Sequence, residues 1–164
     1  MRDAVIQQLA ISLADARVAV DAVLKAARPS EAPLAIAVVD GHGQMVYLVR
    51  QDGAAAVDVR AAERKAYTAA YIGRDTSMWR LQILHDGRTV ADWSNSSLTT
   101  IHGGWTLRRA GLVIGGLGVS GSGNEDRDEQ LALKGAEAAA QLAVDEWRTK
   151  RDPRPIRERS AVRA

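Results

Sequence analysis

LVIGGLGVSGSG (residues 112–123), with the acidic run Asn124 to Glu129 behind it, decides how this chain folds. It reads as an apolar strand that breaks into a glycine-rich turn and feeds a long helix. Such a junction can gather main-chain N–H groups and several carboxylates in one place. The spacing Gly116-x-Gly118-x-x-Gly121 matches a dinucleotide fingerprint, but a Rossmann unit needs a parallel strand after the helix and an acid near that strand's end. Here the helix runs into a charged tail. Ser122 stands where a G-x-S-x-G elbow requires its second glycine, so a hydrolase elbow is excluded as well. The favoured reading is a tight turn and glycines that let a helix pack closely on the strand.

Working outward, the helix predicted behind this turn runs from about Glu125 to Arg148, with Ala136, Ala139 or Ala140, Ala143 and Trp147 as its buried stripe. Ahead of it, Leu98–Ile101, Trp105–Arg108 and Leu112–Ser120 read as three short strands, separated by His102-Gly103-Gly104 and Arg109-Ala110-Gly111. At the other end of the chain, Ile6, Leu9, Leu13, Ala16, Val20 and Val23 or Leu24 recur at helical steps, which predicts a helix over about 3–28, stopped by Arg28-Pro29. Leu34–Val39 and Gln44–Gln51 flank the turn Asp40-Gly41-His42-Gly43 and form a hairpin, whose continuously apolar first strand belongs at the centre of a sheet. Val57–Tyr71, ending at Gly73, is a second helix, and Asp75 to Gly87 holds a shorter third. Residues 88–97 read as a loop. Successive strands joined by tight turns favour an α+β domain: an antiparallel sheet of four to five strands packed by helices, with long N- and C-terminal helices.

The 164 residues suit one domain, assigned to 1–147, and 46% apolar content is ordinary for a globular protein. From Arg148 onward there are seven basic residues against two acidic ones, a net of +5, so the body carries −3 of the whole-chain +2. Residues 148–164 are therefore expected to be a basic flexible tail. Nucleic acid is not the expected partner, because no aromatic residues are interleaved with the basic ones. Zero cysteines exclude disulfides, thiolate metal sites and cysteine nucleophiles. No metal site is assigned. No apolar run approaches the ~18 residues of a membrane span, and the N-terminus lacks a signal-peptide layout, so the expected location is the cytoplasm with no membrane association.

AVVDGHGQMVYLVRQDGA (37–54), ERKAYTAA (63–70), HGGWTLRRAGLVIGGLGVSG (102–121) and EDRDEQLALKGAEAA (125–139) resemble, in this order, the motifs of the GlcG/HbpS family. These are haem-degrading-domain-like proteins, also found as the C-terminal domain of PduO-type proteins. The resemblance covers nearly the whole chain except the tail and residues 75–97. It implies a profilin-like sandwich, a homo-oligomer, and a haem- or corrinoid-associated role of the kind some members have; the residues themselves name no cofactor, and haem is one the resemblance allows. It does not imply one activity. The chain departs from the family at Gly103-Gly104-Trp105-Thr106-Leu107, where Gly-Gly-x-Pro-Ile is common, and a tryptophan there can reshape or fill a pocket.

Among individual residues, His102 is the leading candidate for acid–base or ligand chemistry. It is a loop histidine followed by two glycines, Gly103 and Gly104, that would admit a ligand close to the backbone. Antiparallel pairing of the last two strands would put His102 at the same end of the sheet as Ser120, Gly121 and Glu125, so a base and a carboxylate would face a turn with exposed N–H groups. Glu125 and Lys65 complete the catalytic set. Arg50 and His42 join Gly103, Gly104, Trp105, Ser120 and Gly121 as ligand-binding candidates, Arg50 because a guanidinium grips a carboxylate with two prongs. Two functions are compatible with these residues. One is an oligomeric small-ligand-binding protein of the GlcG/HbpS type. The alternative is a cofactor-independent enzyme of proton transfer, elimination or hydrolysis on a small organic acid near His102.

Overall fold

Ser12 fixes where the first helix begins. Its hydroxyl accepts from the Asp15 N–H at 3.1 Å, and α1 runs Leu13–Ala26 behind that cap. A computed structural model describes residues 9–151, with side chains to residue 142. The expected start near residue 3 is therefore corrected for 9–12: these are not helical, and Ile11 instead donates its N–H to Ile114 O at 2.9 Å and is buried. Leu9 and Leu13, read as stripe positions, are exposed, while Ala16, Ala19, Val20 and Val23 form the buried face. Ile6 lies outside the described residues.

The strands are β1 (Ala35–Asp40), β2 (Met45–Arg50), β3 (Gly104–Arg109) and β4 (Leu112–Ser120), in one antiparallel sheet of order β2-β1-β4-β3. β1 is central and buried along nearly its whole length, as its unbroken apolar run requires. Two hairpins thus meet through β1 and β4. The first turns at residues 41–44, where Asp40 Oδ1 accepts from the His42 and Gln44 N–H groups. The second turns on Ala110 and Gly111, both at positive φ, the conformation a two-residue turn needs to match strand twist.

The expected strand at Leu98–Ile101 does not form. Its polar groups are satisfied by side chains of the second helix, α2 (Ala56–Ile72): Arg64 donates to the Ser96 and Leu98 carbonyls, and Thr99 donates its N–H to Thr68 Oγ1. With no ladder to join, the segment packs Leu98 against Trp79 and Ile83 of α3 (Thr76–His85). The last helix, α4, spans Glu125–Arg151. It takes in residues 148–151 of the expected tail, and residues 152–164 lie outside the described residues.

Helices cover both faces of the sheet. On one face α1 and α4 bury Ile36, Val38, Leu117, Val119 and Leu131. On the other, α2 lays Ala62, Ala66 and Ala70 on Ala35, Ala37 and Val39. Glycines permit that second contact, since a Cβ on Gly116 or Gly118 would lie 2.1 Å from the Ala66 or Ala62 carbonyl oxygen. The close helix-on-strand packing read from the sequence is present, and the helix that exploits it is α2.

Candidate functional site

His102 is placed by the glycine behind it. Gly103 has φ of +108°, and a Cβ there would lie 2.7 Å from Val119 O and 2.8 Å from Asp128 Cβ, so only glycine fits between β4 and α4. Its carbonyl accepts from the Val119 N–H at 2.9 Å, which pins the loop to the end of β4. Across the turn, Asn124 Oδ1 accepts from the Arg127 N–H at 2.9 Å, which caps α4 and points its first turns at His102.

The result is a histidine–carboxylate cluster. His102 Nδ1 lies 3.3 Å from Asp126 Oδ1 and 3.6 Å from Glu129 Oε2, and the His102 N–H lies 3.4 Å from Glu125 Oε2. The His102 side chain is 22% exposed. Glu125 also meets Arg80 Nη1 at 3.4 Å, and Ser77 donates to Glu129, so the first turns of α3 form one wall. The ligand atoms of His102, Asp126 and Glu129 lie within 4.8 Å of one another, which makes these three the residues that could hold a cation.

Lys65 lies beneath the cluster with its side chain 1% exposed. It donates to Asp128 Oδ2 at 2.9 Å and to Val119 O at 2.8 Å, while Asp128 Oδ1 accepts from the Ser122 N–H. This buried pair ties α2, β4 and α4 together, and it corrects the expectation that the Lys65 ammonium is available to a ligand. Gly104 lies under α2, with room for no side chain. Trp105 is half-buried against the α1/α4 core and Ser120 Oγ donates to Asp58, so both carry structural contacts.

Arg50 and His42 are not at this cluster. Arg50 pairs with Ala35, which pairs with Ser120, so it lies on the opposite edge strand, about 10–15 Å away at ordinary strand spacing. Its Nε donates to Ala54 O. His42 is exposed at the hairpin tip, at the other end of the sheet. Near it a groove of about 530 Å³ runs between Met45, Tyr67, Arg64 and Ser96. His102 does not line that groove.

Sequence reading did not name Asp126, Asp128 or Glu129 as site residues and chose Glu125 from the acidic run. The signal was present: Asp128 is in phase with the buried stripe Leu131, Ala132 and Ala136, and an acid on that stripe demands a buried cation. Lys65, in phase with Ala62, Ala66 and Ala69, is that cation.

The fold is an α+β sandwich domain, one antiparallel sheet with helices on both faces. The chain belongs to the HbpS-like family, whose model, described as haem degrading protein HbpS-like, matches residues 11–137. A doubly substituted HbpS of Streptomyces reticuli is similar in structure, with 28% identity and a TM-score of 0.75 over 84% of this chain and 92% of that one. A structure described as a PduOC:haem complex is 28% identical at a TM-score of 0.70, over 79% of this chain and 95% of that one. The corrinoid adenosyltransferase PduO of Salmonella typhimurium is 29% identical over 128 residues, 76% of this chain. The chain spans only 37% of that relative's length. Among the described residues no helix is long and apolar enough to cross a membrane.

Proposed function

We propose that this protein is a homo-oligomeric small-ligand-binding protein of the HbpS type that holds haem or a related flat metal macrocycle, with His102 as the side chain that faces the metal. One observation carries the assignment of the residue. Two carboxylates face Nδ1 of His102, and in the neutral imidazole an N–H turned toward them puts the lone pair on Nε2. A carboxylate-oriented imidazole of this kind is the donor that haem and other metal centres take as a ligand. Bound haem would supply the redox-active iron, and the protein's part is to orient the imidazole and fix its tautomer. The family, and the haem complex of a relative 28% identical, support the ligand class. The corrinoid named for PduO is a macrocycle of the same general shape, and adenosyl transfer itself is not proposed.

A second reading uses the same imidazole as a general base on a small organic acid. It has less support, since Lys65 is buried and Arg50 lies across the sheet, which leaves the substrate without its expected anchors.

Titration with haemin, followed by the Soret band, separates these assignments. Wild type should give a saturable shift, and so should His42→Ala. His102→Ala should lose the shift and weaken binding at least about tenfold, roughly 1.4 kcal/mol, while its melting temperature stays close to that of wild type. Unchanged haemin binding by His102→Ala would remove His102 from the site.

A further inference from the structure

On the sheet face that α2 covers, the edge strand β2 is left open. Ala35, Ala37 and Val39 of β1 pair with Arg50, Leu48 and Met45 of β2, and paired residues of an antiparallel ladder point to the same side. The β1 members are buried under α2, whereas the β2 members are exposed. The groove of about 530 Å³ opens in that gap, within the roughly 300–1,000 Å³ of small-molecule clefts. Val39 and Met45 are its apolar floor, and Tyr67 is its aromatic wall. That wall is held in place on three sides. The Tyr67 ring stacks on Tyr71 at 5.4 Å, its hydroxyl accepts from Asn95 Nδ2 at 3.1 Å, and a Cβ on Gly43 would lie 2.5 Å from the ring.

Arg64 is the polar group that this groove presents. Its Nη2 donates to the Ser96 and Leu98 carbonyls at 2.8 and 2.6 Å, which anchors the guanidinium. Among the described residues its Nε and Nη1 make no hydrogen bond, so those donors are free. The other two charges on the groove satisfy each other, since Arg60 Nη1 donates to Glu63 Oε2 at 2.8 Å. An anchored guanidinium with spare donors beside an apolar floor is an arrangement that recognises a carboxylate carried on an apolar body. We propose that this groove is a binding site for a small monocarboxylate, its carboxylate on Arg64 and its apolar body on Val39, Met45 and Tyr67. The lining residues carry two positive charges and one negative, an excess that suits a monoanion. Nothing in the site depends on His102, which is not among its walls.

Calorimetric titration of the full chain with benzoate tests it, against benzyl alcohol, which keeps the ring and lacks the charge, and acetate, which keeps the charge and lacks the ring. Wild type should bind benzoate saturably with a Kd below about 1 mM, and each control at least about tenfold more weakly. Arg64→Met should weaken benzoate at least about tenfold. Because Arg64 also holds the Ser96 and Leu98 carbonyls, Met45→Glu supplies a second check. Met45 is 43% exposed, so a carboxylate there should repel benzoate to the same degree while leaving the melting temperature close to that of wild type. His102→Ala should bind benzoate as wild type does, which separates this site from the haem reading. No saturation by wild type up to about 10 mM, binding of benzyl alcohol as tight as that of benzoate, unchanged affinity in either groove variant, or loss of binding in His102→Ala would each overturn the assignment.

Discussion

Lys65 and Asp128 are 63 positions apart in sequence and meet where both are almost completely hidden from water. Removing one partner leaves a charge stranded in the interior, which is far worse than never having buried the pair. Lys65→Ala should therefore cost about 3–5 kcal/mol in urea denaturation. Lys65→Met combined with Asp128→Leu should recover most of that loss, because neither charge remains. A cost for Lys65→Ala under about 1 kcal/mol would show that the pair is not a structural tie. Glu31 is a different case. A hydrogen bond from Arg127 holds its carboxyl below the usual glutamate range against the opposing effect of burial, with help from the Arg28 N–H and the charges of Arg127 and Arg28. A folded value below the unfolded one means the carboxylate stabilises the protein fully above the ordinary glutamate range and loses that contribution as pH falls through the folded value. The melting-temperature gap between wild type and Glu31→Gln should be widest near neutrality and shrink at acid pH. A gap that is constant from pH 7 to pH 3 would contradict the assignment. At this scale the chain was only partly legible. His102 stood out because glycines follow it and Glu125 was placed with it, yet Asp126 and Glu129 were not singled out and the inward phase of Asp128 was overlooked.

Among the elements, the contact of α2 on β4 should be the most sensitive to added bulk. Gly118→Ala would drive a methyl group into the Ala62 carbonyl of a helix that cannot move without uncovering Ala35 and Ala37. It should cost at least about 3 kcal/mol, the upper end of the overpacking range. Gly87→Ala, where nothing lies within 4 Å and only the positive φ is unfavourable, should cost about 1 kcal/mol. Equal losses in thermal or chemical denaturation would mean that the glycine is needed for its backbone and not for the space it leaves. Hairpins and long helices were legible because turn chemistry and periodicity are local signals. Residues 98–101 were misread because four apolar or β-branched residues look like a strand whether or not a neighbour offers a ladder. Here α2 offers Arg64 and Thr68 instead. The start of α1 was misplaced for a related reason, since helical spacing continues through Leu9 while Ser12 supplies the cap.

For the whole molecule, the antiparallel α+β architecture and the family were both readable from the order of the motifs, and the central position of β1 followed from its unbroken apolar run. What could not be read was which helix covers which face, because that depends on contacts between distant residues. The strand order β2-β1-β4-β3 also sets a timetable. Ala35 pairs with Ser120 and Asp40 with Gly115, so the middle of the sheet joins the beginning of the chain to a segment made some eighty residues later. During synthesis the first hairpin emerges with one edge of its central strand open, and α2 and α3 follow while the glycine floor that α2 rests on does not yet exist. The sheet closes only when Ser120 is in place, and α2, which could rest until then on β1 alone, gains the rest of its floor in that late event.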